Sequence, residues 1–296
     1  MKKIIVVSLC LIMITSLCGF NSKADDAIED KQPAPTVSTL LQPLMPVASG
    51  VRVSNNKEAE IDYSNVADGY IMARYLTSTD KVLCIQITSP VKNVYTYRLN
   101  DKGEFEVFPL SEGDGNYEIN IYKQISGNTY SHIHSLSVEV KLADEYAPFL
   151  RPNQFVNYNT SSLFLDKAAQ FKELGDNQVV ADAIYEYIIK NMKYSDELAK
   201  SDDAWYKPDL DRAYTEMTGT CFDYSALMVA MLRSIGIPAK LVTGYGRKSF
   251  HAWVEVYLES SGWKRRDPML ASVGCVRRIT SLLISNDANY TAMFWY

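Results

Sequence analysis

The chain has 296 residues, 35 acidic against 30 basic side chains, a net charge of −5 and 47% hydrophobic residues. An acidic balance argues against nucleic acid as a partner, and the length leaves room for two modest domains. Five cysteines spread over this length are too sparse for a disulfide scaffold.

Residues 1–24 read as a secretory signal peptide. Lys2 and Lys3 make a basic start, Ile4 to Leu17 an apolar stretch, and Ser22-Lys23-Ala24 places small residues where cleavage needs them. The apolar stretch is too short for a membrane span, so the expected location is secreted or cell-surface. A lipid anchor at Cys18 is the lesser alternative, because Leu17 is large for the position before a lipidated cysteine. Cleavage removes Lys2, Lys3 and Lys23 and no acid, which leaves the mature chain more acidic still. Residues 25–48 read as a flexible tether, with Asp25, Asp26, Glu29 and Asp30 followed by Gln32-Pro-Ala-Pro35.

Residues 49–145 carry strand signals. Asp101-Lys-Gly103, Gly113-Asp-Gly115 and Ser126-Gly-Asn128 are turns at hairpin-like intervals, with alternating runs such as Tyr117 to Ile121 between them. Short strands at this spacing predict a small all-β sandwich. His132 and His134, at i and i+2 on a strand, are expected on one face beside Leu136 and Val138. A packed histidine fits that setting better than a metal ligand, since no acid or cysteine cluster completes a site.

Residues 146–296 are expected to form a second, mixed domain behind a Pro- and Asn-containing link. Ser161 or Ser162 should cap a helix running through Leu174, with Gly175 ending it. A second helix should start near Asn177 and a short one should run from Asp209 to Met217. The aromatic residues Tyr194, Trp205 and Tyr206 precede Cys221 in the intervening loop. The terminal run Tyr290-Thr-Ala-Met-Phe-Trp-Tyr296 reads as a last strand docked into the sheet.

The stretch from Gly219 to Pro268 concentrates the chemistry. Apolar residues Leu227, Met228, Met231, Leu232 and Ile235 recur at three and four, so a helix runs from Phe222 to Ile235 and Gly236-Ile-Pro238 ends it. Cys221 therefore sits at a helix N-terminus, where unpaired N–H groups and the macrodipole favour a thiolate. His251 opens an alternating strand, and a second short strand from Trp263 to Asp267 follows a turn. A histidine and an acid on neighbouring strands can serve as base and orienter for a helix-borne thiol. Strand parity makes this conditional: only an odd connection, such as Leu258 opposite Gly262, sets Asp267 on the face of His251. The expected contacts are Asp267 on His251 Nδ1 and Nε2 facing Cys221.

G-x-C-x-D-Y-S, R-x-x-G-I-P-A, G-Y, H-A-W-x-E-V and G-W-x-x-x-D-P fall here in order, and the segment resembles the transglutaminase-like superfamily. The resemblance implies an α+β, papain-like core with an antiparallel sheet and a nucleophile-bearing helix. It further implies catalytic Cys221, His251 and Asp267, and an upstream aromatic residue at the oxyanion site, for which Tyr194 and Trp205 are candidates. The expected activity is acyl transfer on protein or peptide amides through a cysteine thioester, by cross-linking or by amide hydrolysis. A cysteine peptidase or deamidase that uses water is the alternative within the class. Outside it stands a secreted cell-wall or adhesion protein with an inactive core. No cofactor is expected, and no EF-hand calcium loop is present in the sequence. Cys84 and Cys275 are expected to be free and structural.

Overall fold

The computed structural model describes residues 42–201, 203, 205–246, 249–277 and 289–296, the side chains of 274–277 excepted. The expected signal peptide, most of the tether and the side chain of Cys275 lie outside the described residues. Residues 42–48 have no regular structure, yet Val47 is held in place. Its carbonyl accepts from Asn65 Nδ2 at 2.6 Å and its N–H donates to Tyr70 Oη at 3.1 Å. The end of the expected tether is thus docked rather than free.

Eight strands come first among the described residues. They are β1 (Val53–Asn55), β2 (Ala59–Asp62), β3 (Tyr70–Tyr75), β4 (Leu83–Thr88), β5 (Val94–Leu99), β6 (Glu106–Pro109), β7 (Gly115–Ser126) and β8 (Thr129–Val140). They pair into two antiparallel four-stranded sheets, ordered β1-β2-β3-β6 and β5-β4-β7-β8. Along β5, Tyr95, Tyr97 and Leu99 are buried while Val94, Thr96 and Arg98 are exposed, the alternation of a strand with one dry face. Residues from both sheets, among them Ile61, Ile71, Ile85, Phe108 and Ile119, share one apolar cluster.

The expected shared face of His132 and His134 does not form. His134 lies opposite Ile121 and His132 opposite Tyr122, so Ile133 is an extra, bulged residue. One bulged residue inverts the parity of everything beyond it, and the two imidazoles leave opposite faces. His134 Nε2 instead meets Ser54 Oγ at 2.9 Å, and His132 packs edge-on to Tyr122.

The second half runs α1 (Leu165–Lys172), α2 (Asn177–Asn191), β9 (Lys193–Tyr194), α3 (Asp196–Ala199), α4 (Leu210–Glu216), β10 (Thr218–Gly219) and α5 (Cys221–Ser234). It continues as β11 (Ala239–Gly246), β12 (Ser249–Leu258), β13 (Gly262–Arg266), α6 (Pro268–Arg277) and β14 (Tyr290–Trp295). α1 starts at Leu165, two or three residues later than a cap at Ser162 or Ser161 suggests. Ser162 Oγ accepts from Asn159 N in the preceding turn and does not cap the helix. The caps of α2 and α4 are Asp176 and Asp209, each accepting main-chain N–H bonds from the first turn.

From Asp223 to Ser234 every residue of α5 is buried. A helix apolar on all sides belongs in the middle of a core. It packs against α1, α2, α4 and α6 and against the antiparallel sheet β13-β12-β11-β14, to which Ala252, Val254, Val256 and Leu258 turn their inward face. The terminal strand does dock: β14 pairs antiparallel with β11.

The sequence suggests a limited, polar contact between the two halves, and the structure has an aromatic one. Phe155 and Tyr296 pack against both apolar clusters at once. Tyr296 meets Tyr95, Tyr97 and Phe155 edge-on, with centroids 5.7, 5.9 and 4.8 Å away. Arg233 lies fully buried beside this junction, donating to the main-chain oxygens of Ala239, Arg151 and Tyr296. A guanidinium fork is suited to gathering three carbonyls from three separate segments.

Candidate active site

The site begins with the way α5 starts. Thr220 is its N-cap, with an extended backbone, and its Oγ1 accepts from Phe222 N at 3.3 Å. Asp223 Oδ2 accepts the Thr220 N–H and hydroxyl, both at 2.8 Å, which closes a capping box. The other oxygen of Asp223 accepts from Tyr206 Oη at 2.5 Å and from Arg212 Nη2 at 3.2 Å. This carboxylate is fully buried and anchors both the helix start and the loop before α4. Gly219 makes room for it, since a Cβ there would lie 2.4 Å from Asp223 Cβ. Cys221 follows as the first helical residue and is half-buried.

β12 supplies the imidazole. His251 is 9% exposed, and its ring runs roughly parallel to the indole of Trp253 at 6.3 Å. The close approach of β11 depends on Gly246, where a Cβ would lie 2.9 Å from His251 Cδ2. Leu258 pairs with Gly262 and Val254 with Arg266, so the loop is Glu259 to Ser261 and the connection is odd. Asp267, one residue beyond that ladder, reaches His251 Nε2 with Oδ2 at 2.7 Å.

The nitrogen assignment differs from the sequence expectation. Asp267 takes Nε2, which leaves Nδ1 as the nitrogen available to Cys221, the other side-chain hydrogen-bond partner of His251. The reason is reach. Continuing the ladder sets Asp267 opposite Trp253, a diagonal neighbour of His251 roughly 7–8 Å away across the sheet. The distal nitrogen is the one that spans that diagonal. Burial alone would lower the His251 pKa, but the hydrogen bonds and charges of Asp267 and Cys221 outweigh it and push it up to about 10.

Asp267 has two further ties. Its Oδ1 accepts from Leu270 N at 2.9 Å, capping α6, and its Oδ2 also accepts from Tyr290 Oη at 2.7 Å. Pro268 is the first residue of α6, which keeps Asp267 extended and puts proline where a helix tolerates it.

Cys221 and His251 open onto a cleft of about 320 Å³ whose walls include Phe155, Trp205, Tyr206 and Phe294. Trp205 and Tyr206 therefore do stand at the site. Tyr194 is placed differently. It pairs with Gly219 through the short parallel ladder of β9 and β10, is 39% exposed and does not line the cleft. Burial, and then the nearby Cys221 charge, raise its pKa. A larger hollow of about 490 Å³ lies elsewhere, beside Phe105 and Asn157, with neither thiol nor imidazole in it. Cys84 is buried on β4, and burial pushes its thiol pKa up.

Two contacts of the site escape the sequence reading. Tyr206 is expected, with Trp205, near the rim of the cleft over Cys221, but its bond to Asp223 crosses 17 positions and has no local signal. Tyr290 stood out only as the start of a terminal strand, and nothing local ties it to Asp267. Among the described residues, no group of three or more His, Cys, Asp or Glu side chains is arranged to hold a metal.

A buried helix presenting a cysteine at its N-terminus to an antiparallel sheet that carries histidine and aspartate is the papain-like α+β arrangement. Residues 167–268 match the Transglutaminase-like superfamily, and this part of the chain belongs to it. YebA of Bacillus subtilis (strain 168) is 38% identical over 68 residues, which is 17% of this chain and 9% of that protein. The chain thus spans about a tenth of that curated relative's length. A candidate cysteine protease from Cytophaga hutchinsonii is similar at a TM-score of 0.42 and 17% identity, over 83% of this chain and 74% of that one. The periplasmic domain of TgpA from Pseudomonas aeruginosa has a TM-score of 0.33 and 15% identity, over 76% and 97%. Red sea bream transglutaminase has a TM-score of 0.30 and 13% identity, over 67% and 47%. Among the described residues no helix is long and apolar enough to cross a membrane.

Proposed function

We propose that this chain is a secreted thiol enzyme that transfers acyl groups from protein or peptide amides through a thioester on Cys221. The observation that supports it best is a half-buried thiol at a helix N-terminus, hydrogen-bonded to an imidazole that a carboxylate holds at 2.7 Å. In this reading the Cys221 thiolate attacks the amide carbonyl carbon. His251 then gives its Nδ1 proton to the departing nitrogen as the C–N bond breaks, leaving a thioester and an amine or ammonia. Asp267 keeps the Nε2 proton in place and stabilises the imidazolium. Water or an amine next attacks the thioester, loses its proton to Nδ1 and releases Cys221.

The oxyanion is assigned to the Cys221 main-chain N–H and the Trp205 side chain. Trp205 is preferred over Tyr194 because it lines the cleft and Tyr194 does not. Among the described residues lining that cleft there is no Asp, Glu, Lys or Arg. Neutral walls suit an uncharged carboxamide or peptide bond. Residues 49–145 are read as a β-sandwich domain ahead of a catalytic domain, 146–296, with Phe155 and Phe294 forming cleft wall where the two meet. The substrate is placed outside the cell, with the cell wall as one setting.

The test is incubation of the mature chain with a glutamine-containing peptide, with and without a labelled primary amine. Amine incorporation lost in Cys221→Ala supports cross-linking. Release of a free acid lost in Cys221→Ala supports a peptidase or deamidase. Absence of any Cys221-dependent product across varied peptides would leave the binding-protein alternative standing.

A further inference from the structure

The acid of the site has a partner that lies beyond the superfamily segment. Tyr290, the first residue of β14, donates its hydroxyl to the same Asp267 oxygen that meets His251, each at 2.7 Å. The other Asp267 oxygen accepts from Leu270 N at 2.9 Å. Three donors from β12, β14 and α6 therefore grip one carboxylate. The phenol ring is itself held, with the Arg265 guanidinium 4.0 Å above its centroid and the Trp253 indole edge-on at 5.1 Å.

We propose that Tyr290 is a positioning residue for the His251–Asp267 pair, fixing the carboxylate's orientation and drawing off part of the negative charge that Oδ2 turns toward the imidazole. The proposal rests on the roles assigned above to Cys221 and His251. An O–H donated to a carboxylate oxygen stabilises its charge and leaves it a weaker acceptor for a second donor. Without the hydroxyl, Oδ2 pulls harder on the imidazolium and makes it a poorer acid for the leaving nitrogen. The carboxylate is also freer to turn about its remaining tie to Leu270.

The titratable groups facing His251 include Cys221 from α5, Asp267 after β13 and Tyr290 itself, whose ring centroid lies 6.3 Å from that of the imidazole. Those facing Tyr290 include Asp267, His251 and, over its ring, Arg265 from β13. Loss of the hydroxyl alone leaves the ring contacts of Tyr290 with His251 and Arg265 in place, so a titration change on losing it is transmitted through Asp267.

Tyr290→Phe keeps the ring and its packing and removes only the donor. The chain has three histidines, which makes the His251 ring easy to follow by NMR as pH is raised, without any need for turnover. The expected result is a rise in the His251 titration of roughly half to one pKa unit, and none when the same change is made in Asp267→Asn. Placing 4-aminophenylalanine at 290 supplies a weaker donor that stays neutral over this pH range and is expected to raise the His251 titration by less than Tyr290→Phe does, which provides a second measurement should Tyr290→Phe fold poorly. A His251 titration unmoved by both replacements, or moved equally in the Asp267→Asn background, overturns the proposal. Because this readout is equilibrium protonation, a chain that turned out to lack Cys221 chemistry would still answer it.

Discussion

Leu258 lies opposite Gly262 across the β12–β13 hairpin, and that pairing sets His251 and Asp267 on one face of the sheet. A residue more or fewer in the loop without a bulge would turn Asp267 away. Asp267 also does two jobs with two oxygens, Oδ2 for the imidazole and Oδ1 for the start of α6.

The two jobs separate by substitution. Asp267→Asn keeps a side chain able to cap α6 and loses the charge beside His251. Activity should fall about 100-fold or more with little loss of stability. Asp267→Ala should lose the same activity and about 1 kcal/mol of stability besides, from the missing cap. Steady-state rates and urea unfolding on both variants check the separation.

Gly219→Ala places a methyl 2.4 Å from Asp223 Cβ, where the neighbour is fully buried and held by bonds to Thr220, Tyr206 and Arg212. The strain should cost about 1–3 kcal/mol and shift the thiol, so activity and melting temperature fall together. A silent substitution would mean that the capping box is not what seats Cys221.

Arg233 is fully buried with three main-chain oxygens on its guanidinium. Arg233→Met fills much of the volume and removes the guanidinium from all three oxygens, of which Tyr296 O keeps the Leu241 N–H at 3.1 Å, and should cost about 3 kcal/mol. Chemical denaturation measures the loss. Faster hydrogen exchange in β11 and β14, whose ends this residue ties together, should accompany it.

His251 has its pKa raised from 6.5 to about 10, with burial opposing the rise and the contacts to Asp267 and Cys221 driving it. A raised pKa means that the folded state binds the proton more tightly than the unfolded one. The resulting stabilisation is complete below about pH 6.5 and fades as pH climbs through about 10. Asp267→Asn removes the principal cause. The melting-temperature gap between wild type and this variant should therefore be widest near pH 6 and shrink toward pH 10. A gap that widened with pH would reverse the sign of the coupling.

Much of the site was readable because its determinants are local. The i, i+3, i+4 apolar spacing from Leu227 to Ile235 marks α5, and Gly219-Thr220 marks its start. The alternation from His251 to Leu258 marks β12, and loop parity carries the argument to Asp267. What escaped depends on contacts between distant segments. Tyr206 to Asp223, Tyr290 to Asp267 and the ring cluster around Tyr296 are products of tertiary packing, and no period or spacing announces them. The choice of Nε2 over Nδ1 turned on the diagonal distance across two strands, which register alone leaves open. His132 and His134 misled for a related reason, since a bulge at Ile133 breaks the alternation without any glycine to mark it.

The central claim is that His251 keeps Cys221 poised as a nucleophile. The most direct measurement is the rate of iodoacetamide alkylation at Cys221, followed by peptide mapping at pH 6 to 9, against a small free thiol and against Cys84. The account expects Cys221 to react at least ~10-fold faster than the free thiol at pH 6, Cys84 hardly at all, and His251→Gln to abolish the advantage. A Cys221 rate no greater than that of the free thiol, or an advantage that survives His251→Gln, would contradict it.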